Sequence, residues 1–226
     1  VTTSPAAVLW DMDGTIIDTE PYWMDAETVL VESFGGTWTH EDALTLVGSG
    51  LWHSARLLQA RGVTMSEGDI IDALTRTVLG RVGDALPWRP GARELLLELR
   101  SRGIKTALVT MSMRSLAEHV AASMGFEAFD VIVAGDDVAH SKPHPEPYLH
   151  AASLLDVSAS DCVAIEDSAP GTASGVASGA VTIGVPLNSP LSADNGYTIW
   201  PTLADRTVDD LVDLFSSVRY PAKDSA

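Results

Sequence analysis

The chain of 226 residues holds a single cysteine, Cys162. One thiol excludes an intrachain disulfide framework and fits a reducing compartment. Its setting in the run Cys162-Val163-Ala164-Ile165 reads as a buried structural thiol. Basic residues are also few: 14 Lys+Arg stand against 31 Asp+Glu, a formal net charge of −17. That balance argues against a nucleic-acid polymer as partner, because a phosphate polymer needs a basic face. A small phosphate is still allowed, since one metal ion and a few local cations reverse the field inside a pocket. Lysine is the scarcer cation, with only Lys105, Lys142 and Lys223 against eleven arginines, so a lysine inside a motif carries weight. No apolar run approaches the roughly 20 residues of a membrane span. Val1 to Ala7 hold no basic stretch followed by an apolar one, so no secretory signal is visible. The expectation is a cytoplasmic protein, monomeric by default, with no membrane partner.

What is present is a strand–helix rhythm. Short apolar runs lie at Ala6 to Trp10, Thr106 to Val109, Val131 to Ala134, Val163 to Ile165 and Val181 to Ile183. Apolar runs without alternation suit parallel strands covered on both faces. Between them lie helical patterns, such as Ala92, Leu95, Leu96 and Leu99 on one face. The alternation predicts a doubly wound, Rossmann-like α/β sheet. Residues 17–87 break the rhythm with three helical patterns and no convincing strand. The expected organisation is an α/β core of residues 1–16 and 88–226 with an inserted all-helical cap of residues 17–87. Ile17 to Glu20 and the stretch containing Gly80, Gly83 and Pro87 would be the two linkers, and two adjacent linkers permit a hinge.

In open α/β sheets the site lies at the carboxyl ends of the strands. The first expected strand is followed by Asp11-Met12-Asp13-Gly14-Thr15. Its two carboxylates can share one crevice if the chain turns at Gly14. An ordinary Asp-Gly turn is the plain alternative. A calcium loop fails, because position six lacks glycine and position twelve is Tyr22 instead of Glu. The next strand is followed by Thr110-Met111-Ser112, which suits either a phosphate site or a helix N-cap. Then come Ser141-Lys142-Pro143-His144-Pro145 and, after the strand at 163–165, Glu166-Asp167-Ser168. Glu-Asp there suits either a hard metal ion or an acidic helix start. Each motif alone is weak or moderate. Together they supply acids for a divalent metal, a hydroxyl and a lysine for a phosphate, and a carboxylate to attack it.

These motifs, in this order and spacing, resemble those of the haloacid dehalogenase-like superfamily. Within it, the chain is most similar to the β-phosphoglucomutase-like group of sugar phosphatases with a helical cap. The resemblance implies a phosphatase whose nucleophile is Asp11, passing through an aspartyl-phosphate, with Asp13 as general acid and base. It implies Mg²⁺ held by Asp11, the Asp13 backbone carbonyl and Asp167, with Glu166 a direct or indirect participant. Gly14, Thr110, Met111, Ser112 and Lys142 would serve the phosphate, and Lys142-Pro143 is a candidate cis peptide. The substrate would be a small phosphorylated metabolite. Specificity is expected from the cap, with Trp23, Gly48, Ser49, Trp52 and His53 as candidates. The pattern departs from a true mutase of this group, which carries a basic pair near the cap glycine and a histidine early in the first cap helix. Here Val47 and Leu51 flank that glycine and Trp23 takes the histidine's place. Hydrolysis is therefore preferred to sugar-phosphate mutase chemistry, and a non-enzymatic binding module on the same fold is the remaining alternative.

Overall fold

The computed structural model describes residues 4–83, 85–193 and 195–221. Six parallel strands form one sheet in the order β3-β2-β1-β4-β5-β6. They are β1 (Ala7–Trp10), β2 (Lys105–Val109), β3 (Val131–Val133), β4 (Cys162–Glu166), β5 (Val181–Gly184) and β6 (Thr198–Ile199). The order reverses between β1 and β4, which places the topological switch point beside the end of β1.

Strand periodicity divides the core between the two faces of the sheet. Ala7 and Leu9 point to the side of Tyr148 and Ala151, on helix α7 (Glu146–Leu154). Val8 and Trp10 join the opposite cluster, with Leu95 and Leu99 of α5 (Ala92–Ser101) and Leu211 and Phe215 of α9 (Val208–Arg219). Every residue of β1, β4 and β5 is buried, as expected where helices cover both faces. Cys162 is among them, and burial pushes its thiol up to about 12.

Helices α1 (Glu20–Ser33), α2 (His40–Leu44), α3 (Leu51–Ala60) and α4 (Glu67–Val82) lie between β1 and α5 and form the inserted helical cap. Ile70, Ile71, Leu74 and Val78 line the buried face of α4, which packs on α1 and α3. The two crossings between cap and sheet run side by side. Asp18 N–H donates to the Pro87 carbonyl at 2.8 Å, Arg89 N–H donates to the Ile16 carbonyl at 2.8 Å, and Ile17 bridges Trp88 antiparallel. A paired two-strand crossing concentrates any relative motion of cap and core into a few residues.

Three elements go beyond the expected pattern. β6 is two residues long and half-buried at the sheet edge, so it has no apolar run to betray it. α2 and α9 start with capping boxes, Thr39 with Asp42 and Thr207 with Asp210, which are local signals an apolar-periodicity reading passes over. α6 (Arg114–Ser123) and α8 (Ala169–Ser178) complete the layers. Among the described residues no helix is long and apolar enough to cross a membrane.

Candidate active site

Asp11 follows β1 directly and its N–H donates to the Ile165 carbonyl of β4 at 3.0 Å. The backbone then reverses at Gly14, which has φ of +82°. A Cβ on Gly14 would lie 2.1 Å from Asp167 Oδ2, so only glycine fits both the turn and the carboxylate against it. This turn brings Asp11 and Asp13 into a cavity of about 60 Å³ between core and cap.

Both Asp11 oxygens are held. Lys142 Nζ donates to Oδ1 at 2.7 Å and Thr15 Oγ1 donates to Oδ2 at 2.8 Å. Lys142 is only 5% exposed, and its ammonium also donates to the Val109 carbonyl at 2.8 Å and pairs with Glu166 Oε1 at 2.6 Å. Three N–H groups thus meet three acceptors. Burial would lower the Lys142 pKa, but the Asp11 and Glu166 charges outweigh it and hold the ammonium above its ordinary value. Glu166 is fully engaged as well. Tyr148 Oη donates to Oε1 at 2.6 Å and Ser168 Oγ to Oε2 at 3.3 Å.

Asp167 differs from its neighbour. Its Oδ2 is buried and accepts no hydrogen bond from the described residues. Burial first, then the charges of Asp11 and Glu166, push its carboxyl well above the usual range. Asp11, by the same burial and by Glu166, is pushed up to about 7. One oxygen from each of Asp11, Glu166 and Asp167 lies within 4.8 Å of the others. An orphaned oxygen inside an all-oxygen cluster with excess negative charge suits a hard divalent cation.

Asp13 receives four donors, which fills the capacity of a carboxylate. Thr19 Oγ1 and Trp23 Nε1 reach Oδ1 from the cap at 2.5 and 3.1 Å. Ser112 Oγ and Thr110 Oγ1 reach Oδ2 from the loop after β2 at 2.7 and 3.1 Å. Thr110, Ser112, Glu166 and Asp167 do not cap the helices that follow these loops. The N-cap of α6 is Met113, and that of α8 is Ser168, whose hydroxyl accepts from Gly171 N–H at 3.1 Å. Thr110, Ser112 and Asp167 line the cavity, whereas Glu166 does not and is held by Lys142, Tyr148 and Ser168.

The model for haloacid dehalogenase-like hydrolases matches residues 5–179. The chain belongs to that family. Among its relatives is hexitol phosphatase B of Escherichia coli K12, 29% identical over 173 residues, covering 73% of this chain and 76% of the relative. Another is a plasmid-encoded phosphoglycolate phosphatase of Cupriavidus necator, 33% identical over 176 residues, covering 74% and 75%. The crystal structure of a CbbY variant from Rhodobacter sphaeroides with xylulose-(1,5)bisphosphate superposes with a TM-score of 0.83 at 27% identity, covering 92% of this chain and 99% of that one.

In this member of the family the cap closes tightly on the core. Gly48 and Ser49 line the cavity. A Cβ on Gly48 would lie 2.3 Å from Ser168 Oγ, and one on Gly50 2.3 Å from Ser141 Oγ. The cap loop therefore rests on the two core loops that carry Asp167 and Lys142. Gly50 has φ of −69°, so alanine there is free of backbone strain but not of this clash. Gly50→Ala is expected to lower kcat/KM by roughly 10- to 100-fold, the usual effect of a small misplacement, with an unchanged circular dichroism spectrum. Adding Ser141→Gly should recover most of the loss. If the single variant is as active as wild type, the contact does not govern closure.

Two of the expected specificity residues lie elsewhere. Trp52 is 46% exposed and His53 is exposed, and neither lines the cavity. α3 begins at Leu51, and its inward face carries Leu51, Ser54, Ala55 and Leu58, with Trp52 and His53 turned to solvent. Glu20, Met24, Glu27 and Ser54 line the cavity and were not anticipated. The signal was present in α1, where positions 20, 23, 24 and 27 fall on one helical face.

A second possible metal cluster, His140, His144 and Glu146, sits on the loop of Lys142. Its atoms already serve that loop. Glu146 accepts from Ala139 N–H at 2.8 Å and His140 N–H at 3.1 Å, and His144 Nδ1 accepts from Glu146 N–H at 3.2 Å. These bonds fix the turn, which also contains the cis Lys142-Pro143 peptide.

Proposed function

We propose that the chain is a magnesium-dependent phosphatase of small phosphomonoesters, sugar phosphates in particular, with Asp11 as nucleophile and Asp13 as general acid and base. The observation that carries this reading is the junction of a doubly held Asp11 with the unpaired Asp167 oxygen in one cavity. Relatives named hexitol phosphatase and phosphoglycolate phosphatase support a small phosphorylated substrate.

Asp11 attacks phosphorus, forming an Asp11 O–P bond as the ester P–O bond breaks. Asp13, once donors such as Thr110 and Ser112 turn from it to the phosphate and it has taken up a proton, gives that proton to the departing oxygen. It then takes a proton from water as that water attacks the aspartyl-phosphate, and inorganic phosphate leaves with Asp11 regenerated. Lys142 offsets charge on Asp11 and on the phosphoryl oxygens. The loop of Thr110, Met111 and Ser112 receives the phosphate, and Gly14 lets the chain turn under it. Mg²⁺, held by Asp11, Asp167 and the Asp13 carbonyl, would supply neutralisation of the phosphoryl charge. Glu166, with both oxygens already bonded, acts through Lys142 and Tyr148. The Thr19 and Trp23 bonds to Asp13 tie acid–base chemistry to the position of the cap.

Hydrolysis is favoured over mutase chemistry because, among the described residues, Lys142 is the only cation lining the cavity. A bisphosphate intermediate would find no second counterion. The test is a panel of sugar phosphates, nucleotides and small organophosphates with Mg²⁺, scored for both free phosphate and isomerised ester. Phosphate release that stops on thorough chelation is expected. Full activity without a divalent metal, or isomerisation faster than release, would overturn the reading.

A further inference from the structure

The cap wall of the cavity is apolar at Met24, Ala43, Leu46, Val47 and Leu51, yet it carries one carboxylate far along α1. Glu27 is 5% exposed. Trp38 Nε1 donates to its Oε2 at 3.2 Å, while Oε1 accepts no hydrogen bond from the described residues. That oxygen is not sealed away from the cavity, so a ligand there can reach it. The open oxygen lies on a side chain lining the cavity, two helical turns beyond Glu20.

Resting on the function proposed above, we propose that Glu27 reads the end of the substrate remote from the phosphate, selecting a monophosphate with hydroxyl groups there over a bisphosphate. Burial pushes the Glu27 carboxyl up to about 8, against the pull of Trp38. Near neutral pH it is therefore largely a carboxylic acid, able both to accept from and to donate to a hydroxyl. A second phosphate at that end would meet Glu27, Ser54 and apolar side chains, with no free cation among the described residues. The three N–H groups of Lys142 are already taken by Asp11, Val109 and Glu166. Taking a phosphate dianion out of water without a partner is strongly unfavourable. This sets the chain apart from the CbbY variant whose structure holds xylulose-(1,5)bisphosphate.

The experiment measures kcat/KM with Mg²⁺ for a hexitol monophosphate, a ketose bisphosphate and p-nitrophenyl phosphate, which has no hydroxyl tail. Wild type should prefer the hexitol monophosphate to the bisphosphate by about 100-fold or more. Glu27→Leu should lower hexitol phosphate turnover about 10- to 100-fold, mainly through KM, and leave p-nitrophenyl phosphate within about 3-fold. Glu27→Gln, which keeps the shape with a donor and an acceptor, should recover most of the loss. Trp38→Phe removes the indole N–H but leaves Glu27, and should keep the preference. Equal loss on both monoesters in Glu27→Leu, a selective loss reproduced by Trp38→Phe, or a bisphosphate hydrolysed as fast as the monophosphate would each overturn the inference. Absence of hydrolysis of any ester would instead overturn the phosphatase reading itself.

Discussion

Asp11→Asn is expected to lower phosphate release by roughly 10⁴-fold or more, the scale seen when a nucleophile is removed. Asn has nearly the same shape, so the pocket stays filled, but its amide is a very poor nucleophile. The variant keeps an acceptor for either Lys142 or Thr15, not both, because one carboxylate oxygen becomes an NH₂ donor. Loss of activity should therefore far exceed loss of stability. The decisive measurement is rapid acid quench of wild type with substrate, followed by mass spectrometry of the peptide that contains Asp11. A phosphoryl adduct there, absent from the variant, is the expected result. If Asp11→Asn keeps more than a few per cent of activity, or the adduct sits on another residue, Asp11 is not the nucleophile.

Asp167→Asn should produce opposite changes with and without metal. Asp11, Glu166 and Asp167 crowd three buried carboxyls around one lysine, and Asp167 Oδ2 has no partner. In chelator, the amide removes the cost of burying that carboxyl beside Asp11 and Glu166, whether as a repelling charge or as a group made to take up a proton, and it offers N–H donors to the neighbouring carboxylates. The metal-free variant is expected to melt higher than metal-free wild type, by roughly a few degrees. Saturating Mg²⁺ should then raise wild type, by about 2.7 kcal/mol at 100 times its Kd, and raise the variant far less, so that the order inverts. Activity of the variant should fall with its metal affinity. A variant that melts lower than wild type in chelator would show that Asp167 is not electrostatically strained.

The same crowding gives the metal-free protein a pH dependence of definite sign. Asp11 moves from 3.8 to about 7, chiefly through burial, and Glu20 and Glu27 move from 4.5 to about 8 for the same reason. Between about pH 4 and pH 8 the folded state therefore holds more protons than the unfolded chain. Stability contributed by these groups is full below about pH 4 and is lost as pH rises through 7 to 8. Thermal melts in chelator should fall over that window, and Mg²⁺ should flatten the slope by favouring ionised Asp11. A rising melt with pH over the same window would contradict it.

How far the sequence leads can be judged residue by residue. β1, β2, β4 and β5 announce themselves because fully buried parallel strands are written as unbroken apolar runs, and their ends carry Asp11, Thr110 and Glu166. Trp52 and His53 misled because a Trp–His pair beside the cap glycine is attractive in one dimension. The phase of α3 turns them to solvent and sends Leu51 and Ser54 inward. Glu27 was overlooked because an acid in a helix ordinarily faces water. The packing of α1 within the cap, against α4 and beside Trp38, buries it.

By itself, the sequence determined the α/β class, the helical insert and the strand-end order of the chemical groups, because periodicity and motif spacing are local properties of the chain. The tertiary structure decided what no spacing encodes. It put Lys142 within 2.7 Å of Asp11 across 131 residues, left Asp167 Oδ2 unpaired, gave Asp13 two donors from the cap and two from the core, and faced the cavity with Glu27. Those relations depend on how distant segments meet, and that is set by burial of the whole core.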